Sequence, residues 1–368
     1  IFFKMSYCNT SDNCPAKDNT SCALYNLDNT LYREALGPWY WTLVVIGFAV
    51  TLALYGLFCE SILYSRRNVH RAFRRHIYWI TSVYPFMALM STIPVIVPEA
   101  NEICNAVKVT YMCTGIAHFT DLTLLMFGSE EAMLRSTEGS PMNLDVGPAF
   151  CCLPCLPKPP ITKRSNNIVL YLCYQLPFTQ AMYYITVIIL LSNGKINIGN
   201  MSGNSTYVWL QLLNFFSFGF GVYALNMLAY LAKGHLEHYT YEKKSMSLRY
   251  LVLVTKLQSF ALDIMGNYGV FPCIGCIISS RITKQTVENG IYLAEMLVLG
   301  IFTYYQYHQK EFDKASHLEV FLQNDPERIP EAPGRTALNH RSDKSHASTS
   351  TNSSIIGSCF VPEDETIA

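Results

Sequence analysis

Seven apolar stretches, each long enough to cross a lipid bilayer, fill most of the first 308 residues: 39–64, 77–97, 103–128, 167–192, 207–232, 248–278 and 289–308. A hydrocarbon core about 30 Å thick needs about 20 mostly apolar residues per helix. Inside it every backbone N–H and C=O must be satisfied within the segment, which leaves a helical bundle as the expected architecture. The expectation is therefore an all-α membrane protein, a seven-transmembrane-helix bundle. Pro85, Pro94, Pro177 and Pro272 fall inside these stretches, which a bundle tolerates because neighbouring helices take up the freed backbone groups. Charged residues make up only 15% of the chain, against about 25% in soluble proteins, and they crowd into the last sixty positions. Such a composition excludes a disordered chain, a collagen or a coiled coil. The net charge of zero offers no basic field for nucleic acid.

Basic residues orient the bundle. Arg66, Arg67, Arg71, Arg74 and Arg75 mark the first connection, Arg135, Lys158, Lys163 and Arg164 the third, and Lys233, Lys243, Lys244 and Arg249 the fifth. The second has Glu99 and Glu102 without a basic residue, the fourth only Lys195, and the sixth Arg281 and Lys284. The positive-inside rule puts the odd connections in the cytosol, so the amino terminus is expected outside and the carboxyl terminus inside. The N-x-[ST] sites Asn9, Asn19, Asn200 and Asn204 all fall on the expected outer side. A fifth, Asn352, lies in the tail and is expected to stay unmodified. Three parts follow: an extracellular amino-terminal segment (1–38), the transmembrane domain (39–308) and a cytosolic tail (309–368). The tail is Pro-, Ser- and Thr-rich and expected to be largely disordered. Residues 1–38 contain no signal-peptide pattern.

The cysteines divide by compartment. Cys8, Cys14, Cys22 and Cys104 are expected outside, where four thiols allow two disulfides in three connectivities. Cys151, Cys152 and Cys155 sit in CCLPCLPKPP on the cytosolic side. Thiols beside a membrane segment are candidates for S-palmitoylation. Cys273 and Cys276 have C-x-x-C spacing but no second pair or histidine partner in sequence, so no metal is expected there.

Ionisable residues inside the spans are the strongest functional signal, because each costs roughly 2.5–3.5 kcal/mol at a helix centre unless it meets water or a partner. The third span carries Lys108, His118 and Asp121, the sixth Lys256 and Asp263, the seventh Glu295, and the first Glu60 near its inner end. Helical rise puts Lys108, Asp263 and Glu295 in the outer half and Asp121 and Lys256 nearer the inner half. This permits an outer cluster of Lys108 with Glu295 or Asp263 and an inner Asp121–Lys256 pair. Ion pairs that lock the bundle and a polar path for a charged solute are equally compatible with that pattern. His118 lacks a second histidine at i+4, which favours a hydrogen-bonded packing role over metal ligation. Gly219 and Gly221 are expected to allow close helix approach or kinking. P-loop, G-x-S-x-G and H-E-x-x-H patterns are all absent from the chain, so no enzyme and no cofactor is expected.

GSEEAMLR at the end of the third span, SPMNLDVGP, the strip CCLPCLP and the final LAEMLVLGIFTYYQ occur in this order. With them the chain resembles the organic solute transporter alpha-subunit family. The resemblance implies facilitated movement of amphipathic solutes such as steroid conjugates or bile-acid-like anions across the plasma membrane. It also implies a small single-span beta subunit as partner, with a homo-oligomer as a further arrangement. A seven-helix receptor shares the topology, but FGSEEAMLR stands where an Asp-Arg-Tyr-like element would, and the seventh span lacks Asn-Pro-x-x-Tyr. A trafficking or membrane-organising protein without transport activity is the third reading.

Overall fold

The computed structural model describes residues 29–137, 161–196, 206–236, 240–271, 278 and 280–308. All belong to one compact unit, 1–324; a second, 325–368, lies outside the described residues. Among the described residues the chain is helical, with no strand. In chain order the α-helices are α1 (Asn29–Leu36), α2 (Pro38–Asn68), α3 (Arg71–Ile96), α4 (Asn101–Phe127), α5 (Glu130–Thr137), α6 (Lys163–Ser192), α7 (Thr206–Lys233), α8 (Tyr241–Asn267) and α9 (Ser280–Tyr307), with a 3₁₀ turn at Pro98–Ala100. Seven of them, α2, α3, α4, α6, α7, α8 and α9, run 26 to 31 residues, or about 39 to 46 Å at 1.5 Å per residue. Four, α2, α3, α6 and α7, are long and apolar enough to cross a membrane by length and composition. The other three, α4, α8 and α9, carry Lys108, His118, Asp121, Lys256, Asp263 and Glu295.

Chain neighbours are also neighbours in space. Helix α3 packs on α2 and α4, α4 on α6, α6 on α7, α7 on α8 and α8 on α9, while α9 returns to both α2 and α3. The faces are distributed as a lipid solvent requires. Helix α2 buries Gly47, Thr51, Ser61 and Ser65 and exposes Trp41, Val45, Phe48, Leu52 and Leu63. On α6 the exposed residues Ile168, Tyr171, Tyr174, Phe178, Met182, Ile185 and Ile189 recur at three- to four-residue intervals, one outward stripe of a helix. Small and hydroxyl-bearing residues inside, with large apolar ones outside, are what close packing between membrane helices needs. Thr51 and Thr92 join α2 to α3 by a 3.1 Å hydrogen bond, and Tyr84 of α3 meets Ser247 of α8 at 2.8 Å. A side chain at Gly300 would overlap Leu54, and one at Gly221 would overlap Leu176. These glycines set the α9–α2 and α7–α6 separations. Gly219, paired with Gly221 on sequence grounds, faces open space instead.

Helices α3 and α6 run unbroken through Pro85, Pro94 and Pro177. Two expected boundaries are corrected. Helix α8 stops at Asn267 rather than 278, leaving Pro272 outside the described residues. Helix α9 starts at Ser280, nine residues before the expected 289. Its first turns were too polar to register as a span, yet they are helical because their polar groups find partners on α4 and α8. Helix α1, inside the segment assigned to the extracellular side, packs Tyr32 and Leu36 against Tyr40, Val44 and Val95. The sequons Asn9, Asn19, Asn200 and Asn204, the cysteines Cys8, Cys14, Cys22, Cys151, Cys152, Cys155, Cys273 and Cys276, and the tail lie outside the described residues.

Candidate functional site

The first half of α9 is a polar hub. Arg281 pairs with Glu102 of α4 at 2.8 Å, and Gln285 donates to the same carboxylate at 3.1 Å. Asn289 donates to Asn101 at 3.0 Å. Lys284 pairs with Asp263 of α8 and reaches Glu288, one turn on, at 3.9 Å. Ser259 of α8 donates to Glu288 at 2.7 Å and lies 2.7 Å from the Tyr292 hydroxyl. That hydroxyl donates to the Thr255 carbonyl at 2.9 Å. Residues 281, 284, 285, 288 and 292 recur at helical spacing, which aims them at α4 and α8.

Lys108 sits just beneath this hub and is 2% exposed. Its Nζ lies 3.8 Å from the centre of the Tyr292 ring and 3.5 Å from Ser91 Oγ. The ring face offers a desolvated ammonium about 2 kcal/mol of attraction. Among the described residues no carboxylate comes within 4 Å of it, the limit for an ion pair. The expected contact of Lys108 with Glu295 or Asp263 is not formed among the described residues; Asp263 pairs with Lys284 instead. Glu295 lies 15 residues into α9, about 22 Å along its axis, near the helix middle rather than its outer end. Its Oε2 is buried without a hydrogen-bond partner.

Lys256 is half-buried, with Nζ 4.4 Å from the centre of the Phe218 ring on α7. It does not pair with Asp121. Asp121 turns instead to His76 of α3 and His118 of its own helix, both at 3.5 Å, and accepts a 2.5 Å hydrogen bond from Tyr174 of α6. The expected inner pair is replaced by two separate sites, because Asp121 lies 6 residues from the end of α4, about 9 Å, whereas Lys256 lies 15 residues into α8, about 22 Å. Cys104 is a buried free thiol in the first turn of α4.

The residues missed by sequence reasoning are Glu102, Arg281, Lys284, Glu288 and Tyr292, together with His76. Glu102, Arg281, Lys284 and Glu288 fall in connections by hydropathy, although Lys284 and Glu288 form an i,i+4 pair, and Tyr292 lies in the seventh span with no charge to mark it. His76 carried no signal, because its partners are 42 and 45 positions away in sequence. The two cavities described for the bundle hold none of the outer charges: one is a surface concavity of about 530 Å³ beside Lys163, Arg164 and Tyr171, the other a gap of about 10 Å³ around Leu54, Tyr84 and Gly300. Lys108 is buried and Lys256 half-buried.

Comparison with known proteins places this architecture. A family model described as organic solute transporter Ostalpha matches residues 39–312. An organic solute transporter subunit alpha from Danio rerio is 26% identical over 257 residues, 69% of this chain and 78% of the relative. The subunit of that name from Leucoraja erinaceus is 24% identical over 275 residues, 74% and 77% of the two chains. An organic solute transporter alpha-like protein from Drosophila melanogaster is 23% identical over 280 residues, 73% and 80%. No solved structure matches. The family model covers the polar hub, Lys108, Lys256 and the helices from α2 to α9, and the chain belongs to the organic solute transporter Ostalpha family.

Proposed function

We propose that this protein is a transporter subunit that carries amphipathic organic anions, such as steroid conjugates or bile-acid-like solutes, across the plasma membrane by facilitated movement. In this reading all seven long helices span the bilayer, with the amino terminus outside and the carboxyl tail in the cytosol. A small single-span beta subunit is the expected partner.

The observation that supports it is Lys108: a buried ammonium held against an aromatic face, with no carboxylate within 4 Å among the described residues. A buried charge lacking an ion-pair partner is costly, and an anionic head group would complete it. Tyr292 and Phe218 present aromatic surface beside Lys108 and Lys256, suited to the apolar body of the same solute. Glu288 and Glu295 repel an anion and serve instead to hold the lysine in place, while Asp263 holds Lys284. His118 and Asp121 stand at the inner end of the same helix. The buried Lys108 fits an occluded conformation, from which α8 or α9 must move to admit a solute.

The test is flux of a labelled anionic steroid conjugate into liposomes containing the purified chain, with and without the beta subunit. Saturable flux abolished in Lys108→Met but retained in Lys108→Arg supports the reading. Absence of flux under both conditions refutes it, and nucleotide exchange on an added G protein would assign the chain to the receptors.

A further inference from the structure

The cluster at the inner ends of α3 and α4 is separate from the lysines and has a geometry of its own. Three donor atoms converge there: His76 Nδ1, His118 Nδ1 and Asp121 Oδ2. The imidazole nitrogens are 3.3 Å apart, and each lies 3.5 Å from the carboxylate oxygen. We propose that His76, His118 and Asp121 bind a divalent transition-metal ion of the zinc class, with three protein ligands and one open position.

The triangle has the right size. Zinc binds imidazole nitrogen and carboxylate oxygen at about 2.0 to 2.2 Å in tetrahedral geometry. The edge of such a tetrahedron is roughly 3.3 to 3.6 Å, by multiplying those bond lengths by 1.63. All three measured separations fall in that interval, so one ion reaches every donor without moving a helix. Two imidazoles in the set select zinc-like ions over calcium and magnesium, which take oxygen.

Proton accounting favours the same conclusion. A neutral imidazole has one ring N–H. If both Nδ1 atoms carry it, two N–H groups confront each other at 3.3 Å. If only one does, its single N–H is shared between the facing Nδ1 and Asp121 Oδ2, and the lone pairs of those two acceptors still face each other. A cation between them satisfies all three lone pairs at once and leaves each N–H on Nε2.

The surroundings hold the donors in place, as metal sites require. Tyr174 of α6 donates to Asp121 Oδ1 at 2.5 Å, which leaves Oδ2 directed at the histidines. The Trp79 ring stacks on His118, with centroids 5.0 Å apart. His118 and Asp121 share a helix face at i,i+3 spacing. The histidine side chains are 15% exposed and Asp121 33%, so the fourth position is open to water or an anion. Arg75 acts on both imidazoles electrostatically; it weakens attraction for a dication and favours an anionic fourth ligand. A bound ion would cross-link α3 to α4 and, through Tyr174, brace α6.

The test uses the full chain in lipid nanodiscs, stripped with a chelator and titrated with Zn²⁺, with Mg²⁺ as control. Diethyl pyrocarbonate modification of each histidine is read by mass spectrometry. Zn²⁺ should slow modification of both His76 and His118 at least about fivefold, where Mg²⁺ does not. Tyr174→Phe should raise the Zn²⁺ concentration needed about tenfold, and His118→Ala should abolish protection of His76. The comparison of Zn²⁺ with Mg²⁺ on the wild-type chain needs no variant, so a variant that fails to fold does not blunt that arm. Zinc uptake that leaves both imidazoles equally reactive would place the ion elsewhere and overturn the proposal. So would protection of His76 that survives His118→Ala.

Discussion

Replacing Lys108 by Met tests the transport reading most directly, because the structure separates the two things the residue could do. Met keeps an unbranched side chain of similar length in a site that is 2% exposed. Lost are the cation–π contact with Tyr292 at 3.8 Å, worth about 2 kcal/mol when desolvated, and a long 3.5 Å hydrogen bond to Ser91. Gained is relief from burying an ammonium short of an ion pair, a penalty of several kcal/mol per ion. The terms oppose each other, so folding and surface abundance should change little. Transport should not be spared. If the ammonium meets an anionic head, the charge-assisted hydrogen bond lost is worth about 1.5 to 3 kcal/mol. At 1.36 kcal/mol per decade this predicts about a 10- to 150-fold fall in transport efficiency for the anion. A neutral steroid of the same body lacks that contact and should lose less than about threefold. The assay is initial uptake of both solutes per surface molecule, in the presence of the beta subunit. Equal losses for the anion and the neutral steroid, or wild-type anion flux, would refute the argument that Lys108 meets the head group.

Four further outcomes are expected. Gly221→Val, which forces atoms into Leu176, should destabilise the protein by about 1–3 kcal/mol through overpacking, whereas Gly219→Val, facing open space, should leave the melting temperature in detergent nearly unchanged. Asp263→Lys alone should impair folding by breaking the pair with Lys284, and adding Lys284→Asp should restore much of the loss in a thermal-shift assay. Glycosidase treatment of surface protein should shift its gel mobility, and replacing Asn9, Asn19, Asn200 and Asn204 together should abolish the shift; an amino terminus that antibodies reach only after permeabilisation would reverse the orientation. Replacing Cys151, Cys152 and Cys155 with Ser should remove metabolic acyl label, and unchanged label would exclude acylation of that strip.

Much of the fold was legible in one dimension because the solvent is uniform. Hydrocarbon demands a run of about 20 apolar residues whatever lies beside it, so the long apolar runs, their order and the rare charges among them can be read without knowing a neighbour. Lys108, Lys256 and Glu295 stood out for that reason. The same logic misplaced the start of α9. Arg281, Lys284 and Glu288 look like a connection until Glu102, Asp263 and Ser259 are seen opposite them.

Partnership was decided only by tertiary structure. Depth along an axis states how far into the bilayer a side chain lies, not which way it faces or which helix stands there. Asp121 lies 6 residues from the end of α4 and Lys256 15 residues into α8, and one faces α3 and α6 while the other faces α7. His118 by itself is a poor ligand; packing of α3 on α4 brings His76 within 3.3 Å of it. Hydropathy and motif order mark the seven long helices, though not all their ends, and the family. Only the packed bundle decided which charges meet, because distance falls off with helix rotation and crossing, neither of which is written in hydropathy.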